Sequence, residues 1–266
     1  LSSGGIIDFM KKLFSKDIIF INTSNALEEF SPKPASEFVP NWYKNLESYS
    51  HNGSNKKIPT EKGTTPATIK RCIPVFDSIT CGYIITSFCD IFVQQIVLDS
   101  PEDLESKFIK NKEYIGKKIP YYSWSDGNPL QFHDGEQAPN HPMRNSMPSY
   151  PKWMNPWGIK TPPGYSILFI PPVHRESVFT ILPGVVDTDK YITSVNFPFI
   201  LNDPSFEGLI PAGTPIAQII PFKRDSWKMS FGTEKEIEDS KKINKQVRTR
   251  MWDGYKNIFR VKKDYR

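Results

Sequence analysis

At 266 residues, with 38% hydrophobic and 24% charged residues, the chain has the makeup of a globular protein with one substantial core or two small domains, and not of a disordered one. No apolar run approaches the roughly 20 residues of a membrane-spanning helix, so no membrane partner is expected. The net charge of +5 is unevenly placed, because from Lys241 to Arg266 ten Lys and Arg stand against Asp253 and Asp264; the remainder is net acidic, and the basic character belongs to the tail.

The opening stretch LSSGGIIDFMKKLF lacks an initiating Met and has too short an apolar stretch for a signal peptide. Its residues 6–14 predict a short amphipathic helix, and DIIFIN predicts a strand. Three prolines between Ser31 and Pro40 then break regular structure, and the NWYKNL that follows suggests an arm anchored by Trp42 and Tyr43. The polar, turn-rich residues 48–68 predict a loop. Residues 1–68 are therefore expected to form an N-terminal helix, strand and Pro-rich arm.

From Ile69 to Gly232 the pattern is different. IKRCIPVFD, GYIITSF and DIFVQQIVL are short, rich in β-branched and aromatic residues, and bounded by turn formers. A polar insertion without helical period runs from Asp99 to Pro151. Beyond it YSILFIP, SVFTIL, ITSVNFPFIL and IAQIIPFKR read as further strands. Short strands separated by Pro and Gly predict a mainly β sandwich or barrel over 69–232. The last segment, 233–266, opens on a capping box, with Thr233 as N-cap and Glu236 reaching back. Val247, Met251, Tyr255 and Phe259 recur every four residues, predicting a basic C-terminal α-helix.

Several clusters carry possible chemistry. Cys72, Cys81 and Cys89 form no CxxC pair and cannot all be bridged within one chain. They are expected to be buried thiols on strands, in a cytoplasmic, reducing compartment such as a bacterial or phage-infected cell. His133, Glu136 and His141 offer two imidazoles and a carboxylate, the donor types of an iron or zinc site. Their spacing matches no helical or cupin ligand pattern, and a polar surface loop accounts for them as well. The aromatic run holding Tyr150, Trp153, Trp157 and Tyr165 can line a pocket, stack on a base or fill the core. Arg224 with Trp227 raises the same choice. The basic tail can contact nucleic-acid phosphates, although a solvated helix face is the commoner use of such a stripe. Asp187 and Asp189, in PGVVDTDKY, can bind a metal or a sugar, or can cap backbone N–H groups in a turn.

Four stretches, in order, resemble the motifs of trimeric dUTPases and the related dCTP deaminases. TCGYIITSFCDIFV is similar to the first motif, WGIKTPPGYSILFIPPVHRES to the stretch ending in the second, PGVVDTDKYITSVNF to the third and LIPAGTPIAQIIP to the fourth. The resemblance implies a distorted jelly-roll barrel, trimeric assembly and a site shared between subunits. It places Asp187 where the family's Asp positions water and the sugar hydroxyl, with Asp189 and Tyr191 beside it. Arg175 and Ser177 stand in for the second motif and Gln218 for the fourth. The chain departs from the pattern in several places: Ile84 replaces the first-motif Asp, Lys190 separates Asp189 from Tyr191, and Pro215 replaces the fourth-motif Arg. A one-residue shift along a strand would turn Tyr191 to the other face, and SFGT only echoes the family's closing glycine-rich tail. The chain also resembles a family of bacterial and phage proteins that share NPWGIKTPPGYS, VVDTD, NFPF and AGTPIAQIIPFKR, which implies a fold and leaves the role open.

Triphosphate hydrolysis needs Mg²⁺ and several phosphate donors, and the altered motifs point away from catalysis. The leading expectation is a non-catalytic barrel that binds a ligand or a protein, as an accessory or structural component. The alternatives are a nucleotide-binding protein or altered nucleotide hydrolase built on Asp187, and a metal-dependent enzyme built on His133 and His141. No cofactor is assigned.

Overall fold

The computed structural model describes residues 16–24, 26–49, 59–60, 63–64, 67–106, 112–134, 137, 149–249 and 253–266. The expected helix at 6–14 lies outside these. The chain divides into two compact units, one made of Leu1–Lys33 and Gly82–Arg224, the other of Pro34–Cys81 and Asp225–Arg266.

The first unit is mainly β. In chain order its strands are β1 (Ile19–Asn22), β2 (Tyr83–Thr86), β3 (Ile91–Val97), β4 (Lys118–Trp124), β5 (Leu130–Asp134), β6 (Ser149–Trp153) and β7 (Trp157–Lys160). They continue with β8 (Tyr165–Ile170), β9 (Phe179–Ile181), β10 (Gly184–Val186), β11 (Phe197–Leu201), β12 (Gly208–Ile210) and β13 (Pro215–Lys223). Pairing within these sheets is antiparallel. β1 joins β7, and the other ladders run β10-β8-β13-β2, β9-β11-β6-β5 and β12-β3-β4. Among the described residues no ladder closes into a barrel.

The sequence periods explain these strands. In β3, Ile91 and Val93 face the core while Phe92 and Gln94 face solvent, the alternation of a sheet with one wet face. All four residues of β2 are buried, so YIIT is covered on both faces. Gly82, which leads into β2 at φ +74°, has no room for a Cβ, since one would lie 2.0 Å from the Ile219 carbonyl oxygen. The core is aromatic: Trp153 stacks on Phe199 at 5.1 Å, and both meet Phe179 at 5.3 Å. Tyr150, Trp153 and Trp157 are buried, so most of the aromatic run at 150–165 is core.

The second unit holds α1 (Asn41–Asn45), α2 (Ile73–Thr80), α3 (Glu234–Thr249) and α4 (Gly254–Ile258). Tyr43 anchors the Pro-rich arm, buried and stacked on Phe76 at 6.1 Å, whereas Trp42 stays 43% exposed. The capping box forms as expected, with the Thr233 N–H donating to Glu236 Oε2 at 2.7 Å and the Glu236 N–H to Thr233 Oγ1 at 3.4 Å.

Three expectations are corrected. IKRCIPVFD is not a strand, because Ile69–Arg71 form a 3₁₀ turn and α2 begins at Ile73 with Pro74 in its first turn, where its missing N–H costs nothing. Cys72 is accordingly an exposed N-cap and not a buried strand thiol. The 99–151 insertion carries β4, β5, the start of β6 and a short helix at Pro101–Ser106. The tail is not one helix: Asp253 adopts a left-handed φ of 48°, and Gly254 starts α4 where a Cβ would lie 2.9 Å from the Val247 carbonyl oxygen. Among the described residues no helix is long and apolar enough to cross a membrane.

Candidate functional site

The turn at 187–191 is assembled by the register of the sheet. Residues 162–165 form a tight turn in which the Tyr165 N–H donates to the Pro162 carbonyl at 3.2 Å. Gly164 takes φ +82° there, the backbone of a type II turn with Pro163 before it. β8 then runs against β10 with Ile167 opposite Val186, which sets Asp187 beside Ser166. It also runs against β13 with Tyr165 opposite Lys223, so the next residue, Arg224, arrives at the same end and its N–H donates to the Gly164 carbonyl at 2.8 Å.

Asp189 is fully engaged by this arrangement. Arg224 donates to it bidentately, Nη1 to Oδ1 at 2.8 Å and Nη2 to Oδ2 at 2.6 Å, and the Gly164 N–H adds a third bond at 2.9 Å. The Asp189 side chain is only 3% exposed. The Arg224 bonds, helped by the Gly164 N–H, hold its carboxyl far below the usual carboxylate range. Asp187 differs. It accepts from the buried Ser166 hydroxyl at 2.6 Å and lies 3.2 Å from Arg224 Nη1, yet its side chain is 60% exposed. Thr188, between them, is buried, with its hydroxyl 2.8 Å from that of Thr161.

After Asp187 the chain leaves the strand, and the N–H groups of Lys190 and Tyr191 both donate to the Asp187 carbonyl at 2.9 Å. The strand-face argument for Tyr191 therefore does not apply. Lys190 sits in a helical turn, and Tyr191 emerges 54% exposed.

The other sequence-derived residues do not join this cluster. Gln218 is buried on β13 opposite Ile170, at the far end of β8, where its Oε1 accepts from the Val173 N–H at 3.2 Å. Ile170 lies four residue steps along the strand from Ser166, about 13 Å away. Arg175 follows the His174 turn at that far end, half-buried, and its burial pulls the guanidinium pKa down. Ser177 has a structural role: its Oγ accepts from the Phe179 N–H at 3.3 Å, and its carbonyl accepts from Asn202 at 2.7 Å. His133 is half-buried on β5 opposite Tyr150. Its proposed metal partners Glu136 and His141 lie outside the described residues. Among the described residues no three His, Cys, Asp or Glu side chains gather as a metal site.

Sequence reasoning missed Arg224 as the partner of Asp189, 35 residues away. The only signal for it is the strand register that carries the residue after Lys223 to the Gly164 turn. The chain matches no protein-family model and no curated protein.

Proposed function

We propose that the chain is a non-catalytic binding protein on a dUTPase-like, jelly-roll-derived fold, working through contacts with other chains as an accessory or structural component. The observation that carries this reading is the closure of Asp189 by Arg224 and the Gly164 N–H. A carboxylate with both oxygens committed, and its adjacent guanidinium committed to it, supports a turn and takes the Arg224 guanidinium out of service as a phosphate donor. The stretch after β13 supports the contact role. Trp227, Met229 and Phe231 are 90%, 83% and 90% exposed, three large apolar side chains left in water within five residues. Trimeric assembly belongs to the same reading.

The test is sedimentation of the full chain together with a nucleotide screen. Self-association lost in a Trp227→Ala/Phe231→Ala variant, with no turnover of dUTP or dCTP in Mg²⁺, is the expected result. Turnover abolished by Asp187→Ala would sink the proposal.

A second reading, nucleotide binding, is favoured by the solvent-facing side of Asp187 beside Ser166 and Arg224. In that reading a site shared between copies brings Asp187 of one chain to the Gln218 and Arg175 end of another. Thermal stabilisation by a nucleotide that Asp187→Ala removes is its test.

A further inference from the structure

The helical unit contains a cavity of about 380 Å³, at the lower end of small-ligand pockets. Four cations line it, Lys44, Lys70, Lys256 and Arg260, around an apolar floor that includes Tyr43, Ile73 and Phe76. Among the described residues no carboxylate lines it. The cations come from three separate stretches of the chain, so no charge run in the sequence marks the site.

Two of the four are held in place before any ligand arrives. Lys70 Nζ donates to the carbonyls of Tyr43 at 2.6 Å and Lys44 at 2.9 Å and lies over the Tyr43 ring at 5.0 Å. An ammonium has three N–H donors, and these bonds use two. Arg260 lies over the Phe76 ring at 5.6 Å and spends Nε and Nη2 on Asp77. Its Nη1 makes no hydrogen bond among the described residues. Asp77 sets one negative charge against Arg260 and Lys263 together, so it offsets only part of the positive charge at the cavity. Lys44 and Lys256 are exposed, on α1 and α4, and free to close over an anion.

We infer that this cavity binds a small organophosphate, a phosphate monoester on a flat apolar body. Four cations exceed what one carboxylate neutralises and suit a group carrying about −1.5 to −2 charges. Preorganised Lys and Arg donors lower the ordering cost of capture, and the Ile73/Phe76 floor offers contact to the apolar body. This goes beyond the binding-protein reading above and rests on different residues, since none of those lining the cavity belongs to the 187–191 turn or to the Trp227–Phe231 stretch.

The experiment is calorimetric titration of the full chain with phenyl phosphate, inorganic phosphate and benzoate at two salt concentrations. Phenyl phosphate should bind at least tenfold more tightly than either of the others, and more weakly at high salt. Lys44→Ala/Lys256→Ala, which alters two exposed side chains, should weaken phenyl phosphate at least tenfold with an unchanged melting temperature. Lys44→Glu/Lys256→Glu should abolish it. No saturable binding, equal binding of benzoate or inorganic phosphate, or binding indifferent to both double variants would overturn the inference.

Discussion

Asp77 ties the end of the chain to α2, and replacing it by Asn removes the charge while keeping the shape. Its side chain is 10% exposed and takes Arg260 Nη2 at 2.6 Å and Lys263 Nζ at 2.8 Å. Burial alone would push the Asp77 carboxyl up, but the hydrogen bonds of Arg260 and Lys263 outweigh it and hold the carboxyl below its ordinary value. A hydrogen bond to a charged group is worth about 1.5–3 kcal/mol, and the Arg260 side chain is 16% exposed. Lys263 is 46% exposed, so water screens its share to under about 1 kcal/mol. The sum, about 3 kcal/mol, is roughly a hundredfold in the opening equilibrium of the segment from Gly254 to Arg266. Hydrogen exchange read by mass spectrometry should show that gain in the 254–266 peptides of Asp77→Asn, with β8 and β13 unchanged. The pH dependence has a fixed sign. A carboxyl depressed in the folded state stabilises above the unfolded value of about 3.9 and loses that contribution as pH falls below it. The parent's segment should therefore loosen below about pH 4, while the Asn variant, corrected for intrinsic exchange, should not respond there. Exchange within threefold of the parent at pH 7 would refute the reasoning.

Asp189→Asn should destabilise the β unit at pH 7, and because the parent carboxyl is depressed by Arg224, the gap in denaturation midpoint should shrink as pH drops below about 4. Phe199→Ala, which empties a fully buried position among Trp153, Phe179 and Tyr122, should cost about 3–5 kcal/mol in denaturant unfolding; a loss under 1 kcal/mol would contradict this packing. Gly82→Ala must place a methyl against the Ile219 carbonyl oxygen at positive φ, and should lose about 3 kcal/mol or more by the same measurement. Alkylation followed by mass spectrometry should modify Cys72 quickly and spare Cys89 until unfolding, since Cys72 is exposed whereas burial pushes the Cys89 thiol up to about 11.

What the sequence made legible was whatever depends on near neighbours. The alternation of DIFVQQIVL marked β3, the β-branched run YIIT marked β2, and Thr233 with Glu236 marked the start of α3. Ile69–Asp77 misled because a short apolar run fits a buried strand and a buried helix equally well; Pro74 in the first turn was the signal to weigh. β4 was hidden because KIPYYSW gains its meaning from pairing with Ile91–Val97. Asp187 and Asp189 could be located but not separated. Their difference lies in Arg224, which the register of β8 and β13 delivers to one carboxylate more than the other.

That difference also decides what the two units can attract. At the 187–191 turn one guanidinium faces two carboxylates, and Asp189 takes it bidentately. Lys190 adds a second positive charge beside Asp189, so the cluster is close to neutral, and its solvent-facing acceptor, Asp187, suits a hydroxyl or an amine better than a phosphate. The helical unit presents a different case, in which four cations line an apolar floor and the nearby carboxylate, Asp77, is shared between Arg260 and Lys263. The organophosphate we infer is therefore expected at the helical unit, on residues that no nucleotide-hydrolase motif contains. The resemblance and the electrostatics thus point to different parts of the molecule, and for the capture of an anion the electrostatics supply the force.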